Sequence, residues 1–233
     1  MTYNKLRIIF FALTLNLLTF SHTIFGQELG VSFSYFLPKD GYFSIPISPF
    51  SLRGVGFDLT RFLAVETGFT LYRISGLNVK GLPFESKKPL IGPNFTLLIP
   101  LEGIIQFSGQ NMEFRMKGGG FLYLPFETKI IEGNFDRALK SFTGFDVVNT
   151  DLSSKNKVGT GIQFGVELVF YFAKQFGVSI GGNYFIGDSD LDLTGSYTGA
   201  DSSGIQTVQV DYSESKLDFT GFEISLGIIF NTQ

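Results

Sequence analysis

The stretch Lys157 to Phe172, KVGTGIQFGVELVFYF, admits few folds. Its even positions are Val158, Thr160, Ile162, Phe164, Val166, Leu168, Phe170 and Phe172. Its odd positions are Lys157, Gly159, Gly161, Gln163, Gly165, Glu167, Val169 and Tyr171. A strict period of two marks a β-strand, whose successive side chains point to opposite faces. A helix would mix the two sets around its circumference. It would also carry three interior glycines, each costing about 1 kcal/mol relative to alanine. The stretch therefore reads as a strand with one continuous apolar face and one face of glycine and polar groups. Which face meets solvent decides what the chain is.

The same alternation recurs along the chain, over Leu29–Tyr35, Arg53–Thr60, Leu63–Ile74, Gly92–Phe107, Met112–Phe126, Phe176–Gly187 and Leu217–Phe230. With the first stretch this makes eight strands. Pro100 falls inside one of them and predicts a bulge there, because a central strand cannot spare an N–H. Short connections at Arg61–Phe62, Ser108–Asn111 and Ala173–Gln175 alternate with long ones at Lys39–Pro49, Ser75–Leu90, Thr128–Asn156 and Asp188–Ser215. That rhythm is the pattern of an up-and-down meander.

Two architectures fit eight such strands. A secreted soluble barrel of the lipocalin kind buries the apolar face inside. A transmembrane barrel turns it to lipid and keeps the polar face in the lumen. Volume separates them, since an eight-stranded barrel has an interior only wide enough for side chains to fill. Here the apolar face is the bulky one, rich in Phe, Leu and Ile, and the polar face is thinned by Gly. Bulk fits outside and Gly relieves crowding inside. Left in water, each outward apolar side chain would forfeit roughly 1.5–3 kcal/mol, so the arrangement is viable in lipid.

Composition agrees. Charged residues make up 17% of the chain, against about 25% in a typical soluble domain. The absence of Cys excludes disulfides, thiol nucleophiles and thiolate metal sites. Residues 1–26 read as a secretory signal, with Lys5 and Arg7 before the apolar core Ile8–Phe20 and small Gly26 before the cut. Removing those two bases takes the net charge from −3 to −5, a poor match for nucleic acid.

Over the whole mature chain, the signal segment, the eight alternating strands and the final strand GFEISLGIIF ending in an aromatic resemble one family. It is the small outer-membrane β-barrel proteins of Gram-negative bacteria, of the OmpA-like transmembrane barrel type. The chain departs from that pattern by carrying Asn231, Thr232 and Gln233 after Phe230. The resemblance implies an all-β fold, an eight-stranded antiparallel up-and-down transmembrane β-barrel over residues 27–233, located in the cell outer membrane. It implies recognition of the terminal aromatic by the outer-membrane assembly machinery. It also implies an internal salt-bridge plug that restricts conductance.

With the faces assigned, Asp58, Glu66, Glu102, Glu113, Arg115, Lys117, Gln163, Glu167 and Glu223 fall in the lumen. A four-residue connection at Ser108–Asn111 pairs Phe107 with Met112 and sets Glu102 opposite Lys117. Buried charges must be paired, so Arg115 and Lys117 are expected to centre a network with Glu102, Glu167 and Glu223. Arg53, Arg73 and Lys216 lie near the extracellular ends with outward parity, suited to lipopolysaccharide phosphates. Asp188, Asp190 and Asp192 alternate in a way that suits calcium or a solvated loop base, and no metal or cofactor site is assigned. The sole histidine, His22, lies in the signal, so the mature chain lacks the residue best suited to acid–base work near neutrality and is not expected to be an enzyme. A structural or surface-interaction role is expected, with outer-membrane lipid, lipopolysaccharide and ligands of the long loops as partners. The alternative is a narrow porin passing small solutes or ions.

Overall fold

The computed structural model describes residues 28–42, 47–126 and 128–231. The expected signal segment 1–26 lies outside the described residues. The elements in order are β1 (Glu28–Pro38), β2 (Ile47–Thr60), β3 (Leu63–Ile74), β4 (Val79–Lys80), β5 (Asn94–Ser108) and β6 (Met112–Pro125). Then come α1 (Glu132–Thr143), β7 (Val147–Asn156), β8 (Gly159–Ala173), β9 (Phe176–Asp201), β10 (Gly204–Tyr212), β11 (Lys216–Asp218) and β12 (Gly221–Asn231).

Eight of the strands close on themselves. The order is β1-β2-β3-β5-β6-β8-β9-β12 and back to β1, and every pair is antiparallel. Closure gives each of these strands two partners and so removes the free edges that invite aggregation. Faces follow the period of two. Along β12, Glu223, Ser225 and Ile229 are buried while Phe222, Ile224, Leu226 and Ile228 are exposed. Glycine on the inner face is required where strands crowd: a Cβ added at Gly165 would stand 2.4 Å from the backbone oxygen of Gly182.

The inner face is layered along the ring axis. Near the short turns Ala64, Ile104, Val169 and Ile229 are buried. The charged and polar side chains come next. Beyond them, toward the long connections, lies an aromatic cluster that includes Phe36, Tyr72, Phe121, Tyr123, Phe185 and Phe219.

Three features depart from the sequence reading. The two longest connections are structured. The first holds α1 and β7, and the second is built from the outer half of the 26-residue β9 together with β10. Strands β7 and β10 flank β9 in a three-stranded extension. Helix α1 joins its buried cluster through Phe135, Ala138 and Leu139, spaced i, i+3 and i+4 on one helical face. Gly144 ends the helix in the left-handed conformation, its N–H bonded to Lys140 O.

Pro100 makes no bulge. The β3–β5 register is the same on both sides of it, Thr67↔Leu101 and Thr70↔Leu98, and the ladder simply omits the rungs between. The missing N–H therefore falls in a gap, and Thr67 Oγ1 donates to Pro100 O at 2.6 Å. Register shifts occur instead along β2, and one of them, with β3 between Leu52 and Val55, falls where Gly54 adopts φ 80°.

Candidate functional site: the charged layer and its aromatic seal

Arg115 and Lys117 sit two apart on β6 and so share the inner face. Arg115 Nε donates to Glu113 Oε1 at 2.6 Å, and Ser108 Oγ donates to Glu113 Oε2 at 3.3 Å. Arg115 Nη1 stands 3.9 Å from both Glu66 Oε1 and Glu167 Oε2. Lys117 Nζ lies 2.6 Å from Glu167 Oε2 and 3.9 Å from Glu66 Oε2. A second group forms across the ring, where Glu223 Oε1 accepts from Arg53 Nη2 at 2.6 Å and from Asn183 Nδ2 at 2.8 Å.

Glu66, Glu102, Glu113, Glu167 and Glu223 thus share the interior with Arg53, Arg115 and Lys117, five carboxylates against three cations, an excess of two. Two cavities adjoin them. One is bordered by Glu66, Arg115, Lys117 and Glu167, the other by Arg53, Glu102, Gln163 and Glu223. Each holds about 10 Å³, room for about one water. The layer is a set of fixed charges packed against one another.

Above it, Phe219 fills the ring. Its side chain is fully buried. It stacks on Phe36 with ring centroids 4.4 Å apart and meets Tyr123 at 4.6 Å, Phe185 at 5.6 Å, Phe121 at 5.8 Å and Tyr72 at 6.2 Å. Phe219 lies in the short link between β11 and β12. That link is tied on both sides: Phe219 N–H bonds Gly187 O at 2.9 Å, and Asp218 N–H bonds Asn78 O at 3.0 Å. Lys80 Nζ is 2.6 Å from Asp218 Oδ2, and β4 pairs with β11 beside it.

The sequence-predicted residues are placed as follows. Glu167 contacts both Arg115 and Lys117. Glu102 does not face Lys117, because the connecting loop is one residue further on. Ser108 pairs with Glu113 and Phe107 with Phe114, which keeps every face but slides Lys117 by two residues, opposite Ile104. Glu102 stands beside Glu66 in the β3–β5 register and has no ion pair among the described residues. Glu223 pairs with Arg53 rather than with Arg115 or Lys117.

Arg53 is therefore inside, not on the outer face. The β2 bulge at Gly54 reverses its parity relative to Val55, since one extra residue flips every side chain beyond it. Arg73 is exposed at the far end of β3. Lys216 is exposed and pairs with Asp188 at 3.1 Å. The three alternating aspartates are no loop base but consecutive outer-face positions of β9, and Asp192 is 3.0 Å from Lys157. Among the described residues no group of three His, Asp or Glu side chains is placed to hold a metal.

Glu66 and Glu113 join the network though the hub was drawn without them. The aromatic seal was missed altogether. Its signal was present: Phe219 and Leu217 share parity with Glu223, as Phe121 and Tyr123 do with Lys117 and Phe185 with Asn183. Bulky rings on the inner face at one end of several strands mark a filled end.

The architecture is thus an all-β antiparallel sheet closed through eight strands, carrying a charged interior. No protein-family model matches the chain, and no curated protein does. Among solved structures it is similar to the outer membrane protein OprG from Pseudomonas aeruginosa, at 12% identity over 89% of this chain and 96% of that one, with a TM-score of 0.51. It also matches Ail, the attachment invasion locus protein of Yersinia pestis, at 10% identity over 87% of this chain and 94% of that one, with a TM-score of 0.37. The likeness to OprG is one of fold.

Proposed function

We propose that the closed ring is an eight-stranded transmembrane β-barrel of the Gram-negative outer membrane, of the OmpA-like type, formed by residues 27–233 after removal of a signal. We assign it a structural and surface-interaction role rather than solute passage. One observation carries this reading: the ring turns bulky apolar side chains outward on every strand and keeps its charges in a closed interior. Phe33, Phe57, Leu101, Phe164 and Leu226 are among the exposed set. In water such a surface far exceeds the apolar patches that soluble proteins expose, whereas in lipid it is the expected exterior.

The role follows from the interior. Among the described residues, cavities of about 10 Å³ beside the ion pairs and an aromatic layer above them favour a filled interior over a water path. The material beyond the ring is ordered instead, as the β7-β9-β10 extension and α1, and would be presented to the cell's surroundings. Arg73, exposed and without an ion pair among the described residues, is suited to a lipid phosphate, and Lys216 shares its charge with Asp188. Phe230 near the end of β12 supplies the aromatic read by the assembly machinery. Refolded into lipid, the chain is expected to migrate differently on gels before and after boiling and to pass no current in planar bilayers. Identical mobilities would overturn the barrel, and unitary currents from the unaltered chain would favour the narrow porin.

A further inference from the structure

The three-stranded extension has two edges, and they are not alike. Along β7 the exposed side chains include Asp151 and Lys155, and Ser154 Oγ donates to Thr128 O at 3.0 Å. Charge and a neighbouring segment thus guard that edge. Strand β10 pairs with β9 alone among the described residues. Alternate residues of an antiparallel edge strand turn N–H and C=O away from the sheet. Charge, proline and bulges are the usual guards of such an edge. The run Gly204–Val210, GIQTVQV, holds no charge and no proline, and its register with β9 is unbroken. An uncharged, β-prone run of this length on a free edge favours pairing with its own kind. The strand is also held in place: Val208 and Val210 pack on the buried cluster, and Thr207 Oγ1 lies 3.0 Å from Thr198 Oγ1. A preset edge loses little further freedom when it gains a strand.

Direction selects the mate. β10 runs from the tip toward the ring, since Gly204 pairs with Asp201 at the turn and Lys216, just past Tyr212, pairs with Asp190. β7 runs the same way, from Val147 opposite Ala200 to Asn156 opposite Leu191. Copies side by side in one membrane therefore offer each other only parallel edges, the less stable pairing. A copy in a facing membrane offers β10 antiparallel. Residues 191–201 of β9 span about 35 Å at ~3.4 Å per residue. At a tilt of about 45° they rise about 25 Å, beyond a headgroup layer of roughly 5–8 Å.

We propose that β10 pairs antiparallel with β10 of a second copy held in a facing membrane, joining the two extensions into one continuous sheet. This rests on the outer-membrane reading above and names the partner for its surface-interaction role. The register centres on Thr207. Across the two-fold Thr207 faces Thr207, Gln206 faces Val208, Ile205 faces Gln209 and Gly204 faces Val210. The overlap stops short of Asp211, so like charges are not opposed. It also stops short of Tyr212, whose ring stands 5.9 Å from that of Phe84. Such a pairing is isologous and closes on itself instead of growing into a fibre.

The test uses the full chain refolded into two vesicle populations, one of them carrying a tag that changes its mass. The chain has no cysteine, so Thr207→Cys places a single thiol at the two-fold. Gel mobility before and after boiling is read first on every chain, which separates failure of the barrel from failure of the pairing. Mixed vesicles of the unaltered chain are expected to tether, read as light scattering. Under mild oxidation Thr207→Cys is expected to give disulfide dimers of one tagged and one untagged chain. Thr207→Lys sets like charges face to face and is expected to lower tethering about tenfold or more. With the barrel formed, no tethering by the unaltered chain, dimers absent or confined to one population, or tethering unchanged in Thr207→Lys would each overturn the proposal.

Discussion

Lys117 and Lys216 each face a carboxylate, at 2.6 and 3.1 Å, but their side chains are 2% and 47% exposed. The distances are alike and the surroundings are not. An exposed pair trades water for a partner at little net gain. Removing one member of a buried pair strands the other charge, at about 3–5 kcal/mol. Lys117→Met is therefore expected to lower stability by about 3–5 kcal/mol, toward the lower end because Arg115 stays 3.9 Å from Glu167. Lys216→Met should leave stability unchanged. Urea unfolding in lipid vesicles reads both, and equal shifts would mean that solvent reaches the interior. Glu102 gives the converse case. It stands opposite Glu66 and makes no ion pair among the described residues, and like charges directly opposed destabilise a sheet. Glu102→Gln should raise the unfolding midpoint by the equivalent of up to about 1 kcal/mol; a lowered midpoint would show that its charge is held by a partner in solution.

Within single elements, one residue of backbone geometry decides which way a side chain points. Gly54, at φ 80°, permits the β2 bulge that turns Arg53 inward to Glu223. Any residue with a Cβ is strained there, so Gly54→Ala should cost about 1–2 kcal/mol in the same unfolding assay, and an unchanged midpoint would show that the bulge needs no glycine. Alternation made the eight ring strands legible, because outward and inner positions differ in both size and polarity. The alternation rule has no term for a bulge, so the side to which Arg53 points was not legible. Pro100 invited the opposite error, a bulge where the ladder merely skips two rungs. The three aspartates from Asp188 looked like cation ligands because alternation over so few residues reads as spacing. The same period, with Leu191 and Leu193 between and beyond them, is that of a strand running on past the ring. Helix α1 was hidden because one apolar face of Phe135, Ala138 and Leu139 is a short signal inside a polar stretch. The Glu102–Lys117 pairing failed on a loop shifted by one residue, which faces alone cannot detect.

Across the whole molecule the interior is closed more than once, and closures in series behave differently from one plug. The ion-pair layer holds charges at 2.6–3.9 Å, and Phe219 with its ring neighbours covers that layer from the far side. Opening one barrier leaves the other intact. Phe219→Ala should cost about 3–5 kcal/mol, as for other buried aromatic truncations, yet remain silent in planar bilayers. Lys117→Ala should also be silent, since Phe219 still fills the ring. Current is expected only from the double variant, recorded on protein that keeps its unboiled gel mobility. Current from Phe219→Ala alone would show that fixed charges do not stop ions and that the aromatic layer is the whole seal. Silence from the double variant would move the barrier to the short-turn end, where Ala64, Ile104, Val169 and Ile229 are buried, and Ile104→Ala added to the pair would then be the change that opens the ring.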